Sequence, residues 1–480
     1  MTQNENAAPS QKLSLFDAIC LIVGIILGVG IYQMTPMIAS ASASFTSITL
    51  DLGQYHPTLQ WSPTTGLIGL WVIGGVLSLC GALSYAELAT AYPREGGDYV
   101  YLNKAYGNWA GFLFGWMITA VVRPADIVFL AWAFANYATA IWAPDVGCSE
   151  IMLQKYYAGA GILLLTILHI IGVQQGKWAQ NLLTVVKVLG IVLIILAVFF
   201  GSPAAVVKGQ PIAGSGGGLP WSLALLFVLF SFGGWGDIAY VAGEVKNAQR
   251  NIVRTAVIGL AAVTLLYIGI SLAFIHILGF EGVMNSEAVA ADAIAKAQPS
   301  WGVYGARVVS GLICISALGA VSCMIFTGAR VSFALGKDYR FFERLGKWNP
   351  KTQTPILALL LQMILCFLYL GLFKTYSDAI TFASCVLYAF FFLTCLAVIV
   401  LRVHQPEVER PFKVPFYPIT PLIFGGVCIF LANKTIMYNM DFHPKLMWIA
   451  MEVLILGSFI YYVSRFVPKK ADDAQKNAPS

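Results

Sequence analysis

Long apolar segments separated by short polar stretches make up almost the whole chain. A helix needs about 20 consecutive apolar residues to cross a bilayer. The segments leave room for roughly twelve such spans, near residues 15–40, 66–92, 98–142, 156–172, 177–201, 221–245, 252–279, 303–335, 354–373, 378–403, 415–437 and 446–467. The pattern therefore predicts an all-α polytopic membrane protein.

Glycines interrupt the first apolar segment near its middle. Gly28 and Gly30 lie within the run Gly24–Tyr32, and glycine weakens a helix interior by about 0.5–1 kcal/mol relative to alanine. A break there frees backbone N–H and C=O groups that lipid cannot satisfy, so they must line a polar site. The helix ending near Leu27 would aim carbonyls at a cation, and the helix beginning near Ile31 would aim amides at an anion. The break therefore indicates a receptor for a zwitterion, with a packed contact between small residues as the alternative.

A second glycine-rich break lies in the sixth segment, between Phe230 and Gly236. Interrupted segments at corresponding positions of two halves are typical of transporters built from inverted repeats. We therefore predict a single transmembrane domain over about 15–467. It divides into a five-helix repeat over about 15–201, a second repeat over about 221–403 and two extra helices over about 415–467, flanked by cytoplasmic tails at 1–14 and 468–480.

Composition agrees with a membrane protein and argues against other classes. Of the 480 residues, 11% are charged and 58% are hydrophobic, whereas soluble domains average about 25% charged residues. Most Lys and Arg residues fall on one side of the predicted membrane, which places both termini in the cytoplasm. The net charge of +6 therefore reflects topology and predicts no nucleic-acid partner. The five histidines are scattered and no HExxH or GxSxG motif occurs, so we predict no enzyme, metal site or cofactor.

Two ionisable positions within the predicted spans carry further information. Lys187 lies about ten residues, or roughly 15 Å, into its segment. Charged groups this close to the bilayer midplane usually face a pathway or a partner. A lysine at the midplane is also too far from either membrane surface for its amine to reach water easily by snorkelling. Asp126 follows Arg123 at i+3, so it either pairs with this arginine or is free to accept a cationic group or carry a proton.

Several short segments, which follow one another in the order typical of a known family, resemble the segments of that family. They are Gly28–Tyr32, Pro93–Tyr99, Arg123–Pro124, Phe230–Trp235 followed by Gly243–Asn251, and Arg410–Pro415. With these pieces the chain resembles the amino acid–polyamine–organocation permease superfamily, and most of all its L-type amino acid transporter branch. The resemblance covers nearly the whole chain. It implies a LeuT-type fold of five plus five helices, with helices 1 and 6 broken and two further C-terminal helices.

The resemblance also implies roles for the two breaks. Amides at the first break would bind the substrate carboxylate, and carbonyls of both breaks would bind its α-ammonium. Phe230 would be an aromatic gate over the substrate, with a plain packing role as the alternative. Gly236 stands where the branch commonly has Asn and is followed by Asp237, so the side-chain pocket departs from the family pattern. The predicted substrate-binding residues are Ile26, Gly28, Val29, Gly30, Ile31, Asp126, Phe230, Gly233, Trp235 and Gly236.

The same resemblance implies roles for Lys187 and Cys148. In sodium-independent relatives, a lysine of the fifth helix occupies the place of sodium in sodium-coupled ones. Lys187 fits this position, with the carbonyls of Gly24 and Ile25 and the hydroxyl of Ser316 as expected neighbours. Cys148 lies in the loop where animal members bond a heavy-chain subunit, although a lone loop cysteine is more often incidental.

These observations predict a sodium-independent secondary transporter for amino acids in the plasma (inner) membrane. It would work by alternating access, as an exchanger or as a proton symporter. Neutral substrates are favoured because Arg123 is expected to pair with Asp126. A carrier of cationic amino acids or polyamines that uses a free Asp126 is the alternative. A channel is a weaker alternative, because the chain contains no repeated filter motif.

Overall fold

A computed structural model describes residues 13–49, 58–92, 97–144, 147, 149–171, 177–200, 221–236, 245–349, 351–352 and 354–464. The predicted tails, the loop 201–220, Cys148 and Asp237 lie outside these residues or almost entirely so. The helices are α1 (Leu15–Ile26), α2 (Gly30–Ser44), α3 (Pro63–Ala91), α4 (Asp98–Tyr106), α5 (Asn108–Met117), α6 (Arg123–Ile141), α7 (Glu150–Ile171), α8 (Lys177–Phe199), α9 (Trp221–Ser231), α10 (Ala248–Leu278), α11 (Phe280–Met284), α12 (Val289–Ala297), α13 (Gly302–Asp338), α14 (Ile356–Leu372), α15 (Tyr376–His404), α16 (Ile419–Phe442) and α17 (Pro444–Ser464). A short antiparallel hairpin pairs β1 (Ser47–Thr49) with β2 (Thr58–Gln60).

Most of these helices are built to cross a membrane. Within the described ranges, eight helical segments are long and apolar enough to do so, and the bent pair α1–α2 raises the number to nine. Part of α8 (Thr184–Phe199), α9 and α14 are shorter apolar helices. The predicted class, an all-α multi-pass membrane protein, is confirmed. The count of twelve spans and the two five-helix repeats stay predictions.

The first apolar segment is broken where its glycines lie. α1 ends at Ile26 and α2 begins at Gly30, and the two helices are bent by 50° relative to each other. Within the break, the Gly28 N–H donates to Ile26 O at 2.7 Å. At its other end, α1 is capped by Ser14 in a reciprocal pair with Asp17.

The second break is the segment Phe230–Gly236, which begins where α9 ends; residues 237–244, which follow it, lie outside the described ranges. The Gly233 N–H donates to Phe230 O at 2.8 Å and closes a turn just after Ser231. Gly234 has a φ of 103°, in the region that favours glycine. A Cβ at this position would lie 2.3 Å from Ile25 Cγ2 of α1. The two breaks therefore pack directly against each other.

The long span from α5 to α6 contains a further irregular segment. Ile118–Val122 form a π-helical turn just before Pro124. Because proline has no N–H, the carbonyl of Ala120, four residues earlier, loses its helical donor. The hydroxyl of Tyr369 on α14 donates to this carbonyl at 2.6 Å. A neighbouring helix thus satisfies the irregular backbone, as an apolar environment requires.

The bundle is packed around α6, which contacts α7, α13, α14 and α15. On one side of the bundle, α1 packs against α8 and α10, while α2 packs against α3 and α9.

Buried Glu87 of α3 connects three parts of the chain through its carboxylate. It accepts hydrogen bonds from Arg402 of α15 at 2.6 and 2.7 Å and from the Val414 N–H at 2.7 Å. Arg410 Nε lies 3.7 Å from the same carboxylate.

Candidate substrate-binding site

The two helix breaks line a common cavity of about 150 Å³. Nine predicted site residues border it: Ile26, Gly28, Gly30, Asp126, Lys187, Phe230, Gly233, Trp235 and Gly236. Val29 and Ile31 are fully buried next to it. Ser316 is buried on α13, and its place beside Lys187 stays a prediction. From the described residues of α13, the cavity is bordered by Gly319, Ala320, Cys323 and Met324. The cavity therefore brings together residues from segments more than 200 positions apart in sequence.

The first turn of α2 presents backbone amides to the break. The N–H groups of Tyr32 and Gln33 donate to Val29 O at 3.0 Å, so regular helical bonding begins at that carbonyl. The amides before Tyr32 belong to the first turn, where a helix has no internal acceptors for its N–H groups. The buried side chains of Val29 and Ile31 pack in the core, so these residues can serve the site only through their backbone.

The carbonyls of the two breaks differ in the bonds they already accept. Ile26 O accepts the Gly28 N–H at 2.7 Å and the hydroxyl of Tyr267 at 3.0 Å. A carbonyl oxygen has two lone pairs, so Ile26 O is already engaged in this conformation. Phe230 O accepts the Gly233 N–H at 2.8 Å, which leaves it one lone pair as far as the described contacts go. Of the two, Phe230 O is the better placed to accept an ammonium.

Lys187 bonds the first broken helix. Its amine donates to Gly24 O of α1 at 3.2 Å and borders the cavity. Thr184 and Asn181, one and two turns earlier on α8, also donate to α1, at 2.9 and 2.7 Å. These side chains recur every three residues and form a polar seam between α8 and α1. The lysine therefore places its amine beside the break and also ties α8 to α1.

One face of α6 supplies a charged and aromatic wall. Arg123, Asp126 and Phe129 recur every three residues and all line the cavity. The Phe129 ring meets the Phe230 ring edge to face at 5.1 Å between centroids. Arg123 Nη1 lies 2.8 Å from Met324 Sδ, and both Arg123 and Asp126 are engaged in polar or electrostatic interactions. Phe129 was missed from the sequence, although its i+3 spacing from Asp126 was a usable signal.

Part of the cavity wall consists of residues that were not predicted to belong to the site, among them Tyr85 and Asp98. Asp98, at the start of α4, is buried and accepts hydrogen bonds from Thr394 at 2.7 Å and from the hydroxyl of Tyr85. The Tyr85 ring packs edge to face on Trp235 at 5.0 Å. Asp98 belongs to the Pro93–Tyr99 piece, but its partner Thr394 lies 296 positions away. No local pattern reveals such a contact.

Comparison with known proteins gives a consistent result. A family model described as amino acid permease matches residues 13–464. The b(0,+)-type amino acid transporter 1 of Mus musculus is 27% identical over 472 residues, covering 96% of this chain and 89% of that protein. The serine/threonine exchanger SteT of Bacillus subtilis is 27% identical over 438 residues, covering 90% and 92%. The large neutral amino acids transporter small subunit 2 of Mus musculus is 27% identical over 468 residues, covering 95% and 81%. The resemblance found in the sequence is confirmed.

Proposed function

Because the chain belongs to the amino acid permease family, we propose that it is a secondary transporter that moves amino acids across a membrane by alternating access. The observation that carries the proposal is that two helix breaks line one cavity. Broken helices at membrane depth are typical of transporter sites, where free backbone groups replace the hydration of a substrate. Similarity to amino acid transporters over nearly the full chain supports the same substrate class.

The cavity can bind the two charged groups that all amino acids share, the α-carboxylate and the α-ammonium. The carboxylate is bound by the amides of Val29 and Gly30 at the start of α2, where the helix dipole favours an anion. The α-ammonium is bound by carbonyls of the second break, with Phe230 O and Gly233 O as the acceptors. Ile26 O joins them when it is released from one of its present donors. Phe230 closes over the bound substrate.

We propose that transport is independent of sodium. The amine of Lys187 stands 3.2 Å from Gly24 O, so a positive charge is already present beside the first break. A sodium ion at the same place would face this amine at close range, and like charges repel strongly in a site of low polarity. The site is therefore complete without an added cation.

Neutral amino acids are the proposed substrates. Arg123 and Asp126 carry opposite charges one helical turn apart on the cavity wall, so together they add no net charge to the pocket. The aromatic side chains of Phe129, Phe230 and Trp235 supply apolar surface for a neutral side chain. A carrier of cationic amino acids or polyamines is the second candidate, because Asp126 borders the cavity and could accept a cationic group.

We propose further that the protein acts in the plasma membrane with both termini in the cytoplasm, and without a disulfide-linked subunit. The similar bacterial protein SteT is described as an exchanger, which supports exchange over proton symport. The name of the large neutral amino acid relative marks it as one subunit of an assembly. Cys148 is the residue that would carry such a bond here, and a change in mobility on a non-reducing gel would reveal it.

Flux measurements in proteoliposomes test the proposal. We expect saturable uptake of neutral amino acids from a panel of twenty amino acids and polyamines, the same in sodium and choline media. Uptake should accelerate when unlabelled substrate is loaded inside, whereas stimulation by a pH gradient alone would indicate proton symport. Strong competition by arginine or lysine that is lost in Asp126→Asn would establish the cationic alternative. Large unitary currents would contradict the carrier mechanism altogether.

A further inference from the structure

Tyr267 of α10 joins the two helix breaks from behind. Its hydroxyl lies 3.0 Å from Ile26 O and 2.8 Å from Ser231 O. These are the carbonyls of the last residues of α1 and α9. The Tyr267 side chain is fully buried, and it is not among the described residues that line the cavity. The residue therefore contacts the backbone of both breaks without facing a substrate.

The Tyr267 hydroxyl stabilises two helix ends whose carbonyl groups would otherwise repel each other. Helix C-termini carry partial negative charge on carbonyls that have no N–H partner within the helix. Two such ends close together repel each other and leave buried acceptors unsatisfied. A phenol has one proton to donate, and here it lies within hydrogen-bonding distance of both carbonyls. Its position between them bridges the ends of α1 and α9.

Packing fixes where this hydroxyl stands. The Tyr267 ring lies 4.9 Å from the Trp71 ring and 5.3 Å from the Phe232 ring, measured between centroids. Trp71 is itself held by a hydrogen bond of 3.0 Å from its indole N–H to Ser271 Oγ, one turn beyond Tyr267 on α10. The Tyr267 ring, and with it the hydroxyl, is thus held in place by two aromatic rings, one of which is itself fixed by a hydrogen bond.

We propose that Tyr267 is a positioning residue of the transport site. With its one proton shared between Ile26 O and Ser231 O, the hydroxyl sets the distance between the two breaks. This distance is the one that a substrate carboxylate and ammonium must span. The inference rests on the proposed function for its substrate. The tie between the breaks is a property of the chain itself and can be tested without substrate.

The test compares Tyr267→Phe with Tyr106→Phe in purified full-length protein. Tyr106 is a matched control because its hydroxyl donates to a helical carbonyl, Leu393 O, at 2.8 Å outside the cavity lining. We expect Tyr267→Phe to raise the KM for amino acid uptake roughly tenfold, because the variant loses one buried hydrogen bond. The Vmax should change less than about twofold. Tyr106→Phe should leave KM unchanged.

Hydrogen–deuterium exchange without substrate provides the second measurement. In Tyr267→Phe, exchange should rise together in the peptides covering residues 24–33 and 229–236, and it should not rise there in Tyr106→Phe. Unchanged exchange at the breaks, or a rise spread over the whole chain, would overturn the inference and leave Tyr267 as ordinary packing. If wild-type protein takes up no amino acid, the proposed function fails. The hydrogen–deuterium exchange measurement alone then tests whether Tyr267 links the two breaks. Should Tyr267→Phe fail to fold, Ser271→Ala must give the same local pattern at smaller amplitude.

Discussion

Gly234→Ala offers the sharpest test of the contact between the two breaks. The residue has a φ of 103°, and a backbone in the left-handed region costs an L-residue roughly 1–2 kcal/mol. The new Cβ would also stand 2.3 Å from Ile25 Cγ2, and overpacking of this kind costs about 1–3 kcal/mol. The two effects together disfavour the present arrangement of the breaks by about 2–5 kcal/mol.

A loss of this size should be plain in a transport assay. Since 1.4 kcal/mol corresponds to a factor of ten, even the lower bound reduces the population of correctly arranged sites roughly 30-fold. Exchange of labelled leucine or alanine in proteoliposomes, normalised to the amount of folded protein from size-exclusion chromatography, measures this loss. We expect Gly234→Ala to be nearly inactive while remaining extractable as a monodisperse protein.

A glycine outside the site supplies the control. Gly279 also has a positive φ, 76°, but a Cβ there would meet no atom within 4 Å, and it is not among the residues that line the cavity. Gly279→Ala carries a similar backbone cost without the clash and should therefore keep most of the exchange activity. If Gly234→Ala exchanges at the wild-type rate, or if both variants fail equally, then the close approach of α1 to the second break does not control the site.

Three further substitutions probe other contacts. Lys187→Ala removes the amine that holds α1 and should lower uptake at least about tenfold; a variant with wild-type uptake, or wild-type transport that depends steeply on sodium, would contradict the assignment. Glu87→Ala leaves the Arg402 guanidinium without its buried carboxylate and should cost about 3–5 kcal/mol, seen as a lower unfolding midpoint in detergent; an unchanged midpoint would refute this reasoning. At Gly30 a Cβ would lie 3.5 Å from Ser231 Cα, so Gly30→Ala should fold and Gly30→Leu should lose transport, and full uptake by the leucine variant would separate the first break from the site.

The sequence by itself determined the class of the protein and the location of its breaks. Long apolar runs require helices because lipid cannot satisfy a free backbone, and this argument is independent of tertiary contacts. Glycines within two of these runs marked the places where the helices end, and the structure has α1 end at Ile26 and α9 at Ser231. The depth of Lys187 in its segment predicted a lysine that faces a pathway or a partner, and the family resemblance implied its place beside Gly24; its amine does bond Gly24 O.

The tertiary structure decided which distant groups meet at those breaks. Tyr267 bonds Ile26 O across 241 positions of sequence, and Thr394 bonds Asp98 across 296. Helix packing in a bundle depends on the rotation and tilt of each helix, and apolar spans of similar composition leave these undetermined. For the same reason the sequence did not show which face of α13 borders the cavity, a face that includes Cys323, and Ser316 as a neighbour of Lys187 stays a prediction. Local pattern thus locates free backbone groups, and only the packing of neighbouring helices determines which side chains satisfy them.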